Sequence, residues 1–404
     1  MPGMVSLMLA AHDAPPRIEE ILPPALLIAI AFMSSTLITP LYALYQTAYH
    51  FSVLTLTLIY AVYAVGNLVA VLFFGRVSDR AGRRRVALPA LALATVSTLL
   101  FILAHGTAWL FAARLLSGFG VGLASGTGTA WLADLYGKSR RPQATLAATC
   151  ANLAGAAGGP LLGGLLAQYA PMPLELSFYA YLVLLACAAV ALTRAPETVR
   201  ARESDLSKLS FWPKIGVPQD ARKRFVAPAV AAFGVWALSG FYFALLPGVL
   251  RHDLGVKNVA IAGSVVCEMM LFAVATTIVF RNLQSEKAML AGLLMQVPSV
   301  VLLIASQMLA STALLLVGSA VTGATLGLGY RGSLQVVNQL APEDRRAGVV
   351  SAYFAVMFLG NSVPIVGIGI LTSCTSALTA NAAFAVTIAI FAIVAARTYR
   401  RTGA

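Results

Sequence analysis

Three charged residues stand inside stretches that are otherwise apolar: Arg114, Glu268 and Arg331. A charge placed in hydrocarbon costs a few kcal/mol or more, so each should face a cavity, water or a partner. Glu268, within Val265-Val266-Cys267-Glu268-Met269-Met270, has the chemistry of a proton carrier or a cation-recognising group. Arg331 follows Gly327, Gly329 and Tyr330 near the end of its stretch and is a candidate partner for Glu268. Arg114, in Arg114-Leu115-Leu116-Ser117-Gly118, either serves a polar cavity or snorkels to the nearby membrane face. Other polar residues placed to line a cavity are Tyr42, Asn67, Asn152, Tyr353 and Asn361, with Tyr63, Trp236 and Tyr242 beside them. Each of these could equally serve packing or an interfacial anchor. No nucleophile–base pair, metal-ligand cluster or phosphate-binding glycine loop is present, so neither an enzyme nor a resident metal or cofactor is expected. The cysteines Cys150, Cys187, Cys267 and Cys374 are scattered and read as small apolar side chains.

The elements that must position these residues are long and apolar. Of 404 residues 59% are hydrophobic and 11% charged, against about 25% charged in a soluble domain. A soluble globular protein is excluded. Twelve spans of membrane-crossing length are expected at 22–46, 53–74, 86–104, 107–133, 143–168, 174–193, 227–249, 258–280, 287–307, 312–336, 347–371 and 377–396. All of the 28 Lys and Arg except Arg114, Arg251, Lys257 and Arg331 fall on one side of the resulting threading. Basic loops stay in the cytoplasm, so both termini are expected there. The net charge of +13 then reflects topology and contact with lipid head groups, and no nucleic-acid partner is expected. The division is a tail at 1–21, a six-helix bundle at 22–193, a charged linker at 194–226, a second bundle at 227–396 and a tail at 397–404. Arg140-Arg141 before Pro160 and Arg345-Arg346 before Pro364 repeat at nearly equal separations, which supports two related halves.

The loop after the second span reads Gly75-Arg76-Val77-Ser78-Asp79-Arg80-Ala81-Gly82-Arg83-Arg84-Arg85. Gly82 permits a tight turn, and Asp79 at the membrane boundary can face an arginine or a helix N-terminus. Asp134, at the end of the fourth span, is the best candidate partner for these arginines. The loop resembles the signature of the major facilitator superfamily, and the likeness extends over roughly residues 20 to 400. The resemblance implies an all-α membrane protein, with twelve transmembrane helices in two pseudo-symmetric six-helix bundles. It also implies a gating role for Gly75, Asp79, Arg80, Gly82 and Arg83 that stabilises the outward-facing state. Arg114 with Gly118 matches the family's fourth-helix pattern, where the arginine is linked to proton transfer in proton-coupled members.

Gly155, Gly159, Pro160, Gly163 and Gly164 match the pattern that, by resemblance, marks the antiporters, drug exporters above all. Helix four offers a similar strip in Gly118, Gly122 and Gly126. The first span lacks the embedded acid found in many drug exporters, and 281–287 keeps almost nothing of the signature loop. The expectation is a secondary transporter that works by alternating access: a monomer in the inner membrane of a bacterium, driven by the proton gradient. It would export amphipathic, drug-like small molecules, apolar or weakly cationic given the few charges. The alternative is a metabolite or organic-anion importer with Arg114 or Arg331 as the anion site.

Overall fold

The computed structural model describes residues 16–75, 77–199, 215–219, 221–342 and 345–401. The expected tail as far as residue 15 and about half of the linker 194–226 (200–214 and 220) lie outside the described residues. Among the described residues, twelve helices are long and apolar enough to cross a membrane. They are α1 (Ile18–Tyr49), α2 (Val53–Phe74), α3 (Arg83–Ile102), α4 (Thr107–Tyr136), α5 (Arg141–Tyr169) and α6 (Leu176–Arg194). The second six are α7 (Arg222–Ala244), α8 (Val259–Val279), α9 (Ser285–Met308), α10 (Thr312–Leu340), α11 (Arg346–Cys374) and α12 (Ala377–Arg401).

Several helices run past the expected apolar limits into charged ends, because backbone hydrogen bonding continues beyond the residues that hydropathy marks. Helix α3 begins at Arg83, α7 begins at Arg222, and α12 reaches Arg401. Helix α7 also stops earlier than expected, at Ala244, and Pro247 opens a separate short helix, Leu246–His252. Helix α1 is broken by a 3₁₀ turn at Thr39–Leu41, where Pro40 supplies no backbone donor.

The helices pair in the same way in both halves. Within the first, α1 packs on α4 and α5, α2 on α4, and α3 on α4 and α6. Within the second, α7 packs on α10 and α11, α8 on α10, and α9 on α10 and α12. Adding six to each label converts one set into the other. The two most extensive pairings between the halves are α5 with α8 and α2 with α11, and they too exchange under that operation. This is the parallel-repeat plan, which leaves a site at the interface.

Call the side that carries Ile18 and Arg401 the terminal side. The halves touch most closely on the far side. A Cβ at Gly263 in α8 would overlap the carbonyl oxygen of Pro160 in α5, and one at Gly369 in α11 would meet Thr57 and Leu54 in α2. Asn258 donates to the Tyr169 hydroxyl (3.2 Å), and the Val259 amide donates to Gln168 (2.8 Å). Arg251 donates to the Thr47 hydroxyl at 3.1 Å. On the terminal side the same helix pair parts instead. A cleft of about 360 Å³ lies between α5 and the ends of α8 and α10, lined by Gln143, Thr149, Arg281, Asn282, Arg331 and Gln335. The halves are thus joined between α5 and α8 and between α2 and α11 on the far side, and a cleft separates α5 from the ends of α8 and α10 on the terminal side.

Candidate functional site

Close backbone approach positions the central residues. Gly118 sits against the Tyr63 carbonyl, so α4 lies hard on α2 and carries Arg114 to the rings of that helix. The Arg114 guanidinium carbon is 4.5 Å from the centroid of Tyr63 and 5.5 Å from that of Tyr60. Its Nη1 donates to the Ser35 carbonyl at 2.8 Å, one turn before the break in α1. Arg114 is 1% exposed, so it does not snorkel. No carboxylate lies within ion-pair distance of it among the described residues.

Both halves wall the small chamber in which Arg114 lies. Phe32, Tyr60 and Asn152 come from the first half, and Trp236, Met270 and Asn361 from the second. The Tyr60 hydroxyl donates to Asn361 Oδ1 at 2.8 Å, joining α2 to α11 across the interface. Two buried donors in this wall have no partner, Arg114 Nε and Trp236 Nε1. The chamber wall thus combines aromatic faces with two residues that each keep an unpartnered N–H, a lining suited to an occupant with acceptors. Its volume is about 30 Å³, enough for a water or two, so a larger occupant needs the walls to move.

The remaining cavity candidates divide. Asn152 and Asn361 line the chamber with Arg114. Asn67 does not; its Nδ2 is 3.2 Å from the Tyr63 hydroxyl, behind the ring that Arg114 covers. Tyr353 is buried between α10 and α11, its hydroxyl 2.8 Å from that of Ser333. Tyr42 lines a separate far-side pocket of about 150 Å³ with Gln46, His252, Asp253 and Asn381. There burial pushes the Asp253 carboxyl up, and the neighbouring His252 pulls it the other way.

Glu268 and Arg331 do not meet. Glu268 accepts a hydrogen bond from the Ser319 hydroxyl at 2.8 Å and is half-buried on the stripe of α8 that exposes Ile261, Leu271 and Phe272. Arg331 donates to the carbonyls of Phe280 and Leu283 (the latter at 2.6 Å) and so caps the end of α8. Ser319 and Arg331 are three turns apart on α10, roughly 18 Å, which separates the two charges. Neither lines the chamber; Arg331 lines the terminal cleft.

The loop between α2 and α3 forms a compact charge cluster. Gly82, at φ 105°, adopts a backbone that favours glycine and starts α3. Arg83 Nε donates to Asp134 Oδ2 at 2.9 Å, and its Nη1 donates to Ser78 (2.8 Å) and to Asp79. The carboxylate of Glu197 accepts from the amides of Arg83 and Arg84 (2.9 and 3.2 Å), capping α3, and Thr198 donates to Asp134 (2.9 Å). Trp131 Nε1 donates to the Pro196 carbonyl at 3.0 Å, tying down the chain that leaves α6. Sequence reasoning missed Glu197; the available signal was an acid directly after a span, within a basic stretch. Arg80 and Gly75 flank this cluster. Arg83→Met is expected to lower stability by about 1–2 kcal/mol, because its two acids are partly exposed and each pair is screened. A thermal melt of the detergent-purified protein reads that shift.

The α5 glycines face two ways. Gly155, Gly159 and Gly163 pack against the backbone of α1, and a Cβ at Gly155 would overlap the Ala29 carbonyl oxygen. Gly164, one turn past Pro160, faces Val259, Ala260 and Gly263 of the other half. The strip on α4 does not pair with it: Gly118 and Gly122 pack on α2, and Gly126 has open space. Three of the chamber aromatics, Phe32, Tyr60 and Phe243, were also missed. Tyr60 lies one turn before Tyr63 on the Asn67 face, a pattern the sequence displays.

Comparison with known proteins places this geometry. A family model described as Major Facilitator Superfamily matches residues 25–364. Multidrug resistance protein MdtL of Escherichia coli O45:K1 (strain S88 / ExPEC) is 38% identical over 82 residues. That segment is 20% of this chain and 21% of MdtL. Multidrug resistance protein 2 of Bacillus subtilis (strain 168) is 28% identical over 142 residues, 35% of this chain and 36% of that protein. The matches thus span about a fifth and about a third of these relatives. Among solved structures, a bacterial homolog to the human lysosomal transporter Spinster, in an inward-facing and unoccupied conformation, aligns at a TM-score of 0.70 and 16% identity. That alignment covers 94% of this chain and 97% of the other. The human organic anion transporter MFSD10 (TETRAN) aligns at 0.67 and 16% identity, covering 95% of this chain and 100% of the other. A twelve-span multi-pass membrane protein with this helix pairing and this match along most of its length, the chain belongs to the Major Facilitator Superfamily of transporters.

Proposed function

We propose that this chain is a proton-coupled exporter of amphipathic, drug-like molecules, acting as a monomer in a bacterial inner membrane with its termini in the cytoplasm. The observation that carries the reading is the chamber, where Arg114 and Trp236 hold unpartnered donors among aromatic walls drawn from both halves. Rings of a substrate would stack on Tyr60, Tyr63 and Trp236, and its acceptor or anionic end would meet Arg114. A cation would be repelled there, so the weakly cationic substrate expected from the sparse charges fits less well. The partial likeness to two multidrug resistance proteins supports export.

For alternating access, the contact that would open is that of α5 with α8, which is close on the far side and parts at the terminal-side cleft. The reverse arrangement would release substrate outward. Glu268 is the carboxyl nearest the middle of a span, and we assign it the proton. Its acceptor bond from Ser319 is one that either protonation state can keep.

Glu268→Gln is expected to abolish pH-gradient-driven transport while leaving substrate binding within about twofold. Proton release from proteoliposomes on addition of amphipathic anions, neutral compounds and hydrophobic cations reads the first, and fluorescence quenching reads the second. Coupled transport that survives in the glutamine variant removes Glu268 as the carrier.

A further inference from the structure

Where α7 and α12 cross on the terminal side, they leave a groove of about 310 Å³ in the outer wall of the second half. Its floor is built from Ala227 and Ala395, 4% and 5% exposed, whose methyl groups are too short to fill the space between taller neighbours. Its walls are apolar and open outward: Val226, Phe391 and Val394 are about half exposed. Behind the floor lies a packed cluster of Met289, Leu293 and Val336, so the depression is backed by rigid core.

The mouth of the groove is basic. Lys223 lines it, between Arg222 and Arg224 at the start of α7, and Arg397 and Arg400 stand at the end of α12. Among the described residues one acid lies close, Glu286 at the start of α9. Tyr399 lies beside Glu286, and Arg224 stands close to the same pair. That acid is thereby answered, while Lys223 makes no ion pair among the described residues. An apolar slot at the edge of the hydrocarbon, opening under a cation at head-group level, has the chemistry of a lipid with one negative charge.

We propose that this groove binds an anionic phospholipid of the terminal-side leaflet, one acyl chain along Val226 and Val394 and the phosphate at Lys223. Bound there, the lipid bridges the first and last helices of the second half. A zwitterionic lipid fills the same slot without the net charge that Lys223 selects.

Native mass spectrometry of the full chain in detergent, titrated with phosphatidylglycerol or phosphatidylcholine of matched chains, tests this. The wild type is expected to retain one phosphatidylglycerol with about fivefold preference over phosphatidylcholine. Lys223→Glu, and Lys223→Gln should the first fold poorly, is expected to bring that ratio near one. Val394→Trp, which fills the slot, is expected to remove the retained lipid of either kind. Arg194→Glu, at the end of α6 in the other half, is expected to leave the preference unchanged. Equal retention of the two lipids by the wild type overturns the proposal. So does a preference that survives both Lys223 variants, one lost equally in Arg194→Glu, or displacement of the lipid by inorganic phosphate alone.

Discussion

Gly263→Val is expected to fold at close to wild-type yield and to lose transport, held with its far side open. In this structure a Cβ at residue 263 would overlap the Pro160 carbonyl oxygen, and Gly164 lies directly opposite. Neither neighbour can give way, because both are backbone. The clash exists only while α5 and α8 are together, and these helices belong to different halves, which the proposed alternating access would separate on the far side. Overpacking of this kind costs about 1–3 kcal/mol, which shifts a two-state equilibrium by roughly tenfold to a hundredfold. Gly155→Val is the contrasting case, since its clash is with Ala29 of α1 inside the same half and persists in every state. That variant is expected to lower folded yield instead. Melting temperature separates the two, and labelling of cysteines introduced on the far side shows which face is open. A Gly263→Val protein that transports normally would mean that the contact between α5 and α8 does not limit closure.

Arg114→Ala is expected to reduce transport by about a hundredfold or more while leaving the melting temperature unchanged or raised. The arginine is buried and has no carboxylate partner, so its removal relieves a desolvation penalty instead of exposing an opposite charge. What is lost is the pairing with the substrate's acceptor end, for which a buried charge contributes about 2–5 kcal/mol. Arg114→Lys keeps the charge but loses the planar stacking on Tyr63 and the forked donors, and is expected to recover only part of the activity. Stopped-flow uptake into everted vesicles measures both variants. Full activity in the alanine variant would dismiss Arg114 from substrate recognition.

Much of this was legible before any coordinates, and particular residues show why. The charge cluster at the start of α3 could be read because Gly82 at a forced turn, Asp79 at the membrane boundary and Arg83 directly after that glycine carry position as well as type. Asp134 could be named as the partner because it closes the neighbouring span on the same side. The chamber was half legible: Arg114 stands out as a charge among apolar residues, and Asn152 and Asn361 as polar groups at mid-span. Phe32, Tyr60 and Phe243 did not stand out, since aromatic residues in an apolar helix look alike whether they pack or bind.

Glu268 was misplaced for a physical reason. Helix α8 is apolar on nearly every side, so no periodicity tells the stripe facing α5 from the stripe facing outward, and only packing decides it. The partner of Arg331 was hidden for another. It caps the carbonyls at the end of α8, and that end lies just where hydropathy stops marking the helix. The α4 strip was misread because small residues at four-residue spacing state that a helix is approached closely without stating by which neighbour.

The central claim is that one site is exposed alternately, with the far-side seal and the terminal-side cleft never open together. Spin-label distances across both mouths of the same protein test it most directly. With the four native cysteines replaced, one pair at positions 172 and 257 reports the far side, and one at positions 143 and 282 reports the cleft. On adding a transported amphipathic anion under a pH gradient, the first distance is expected to lengthen and the second to shorten in the same population. In Gly263→Val that arrangement should already be present without substrate. Distances that lengthen together, or that stay fixed while flux continues, would contradict alternating access in this chain.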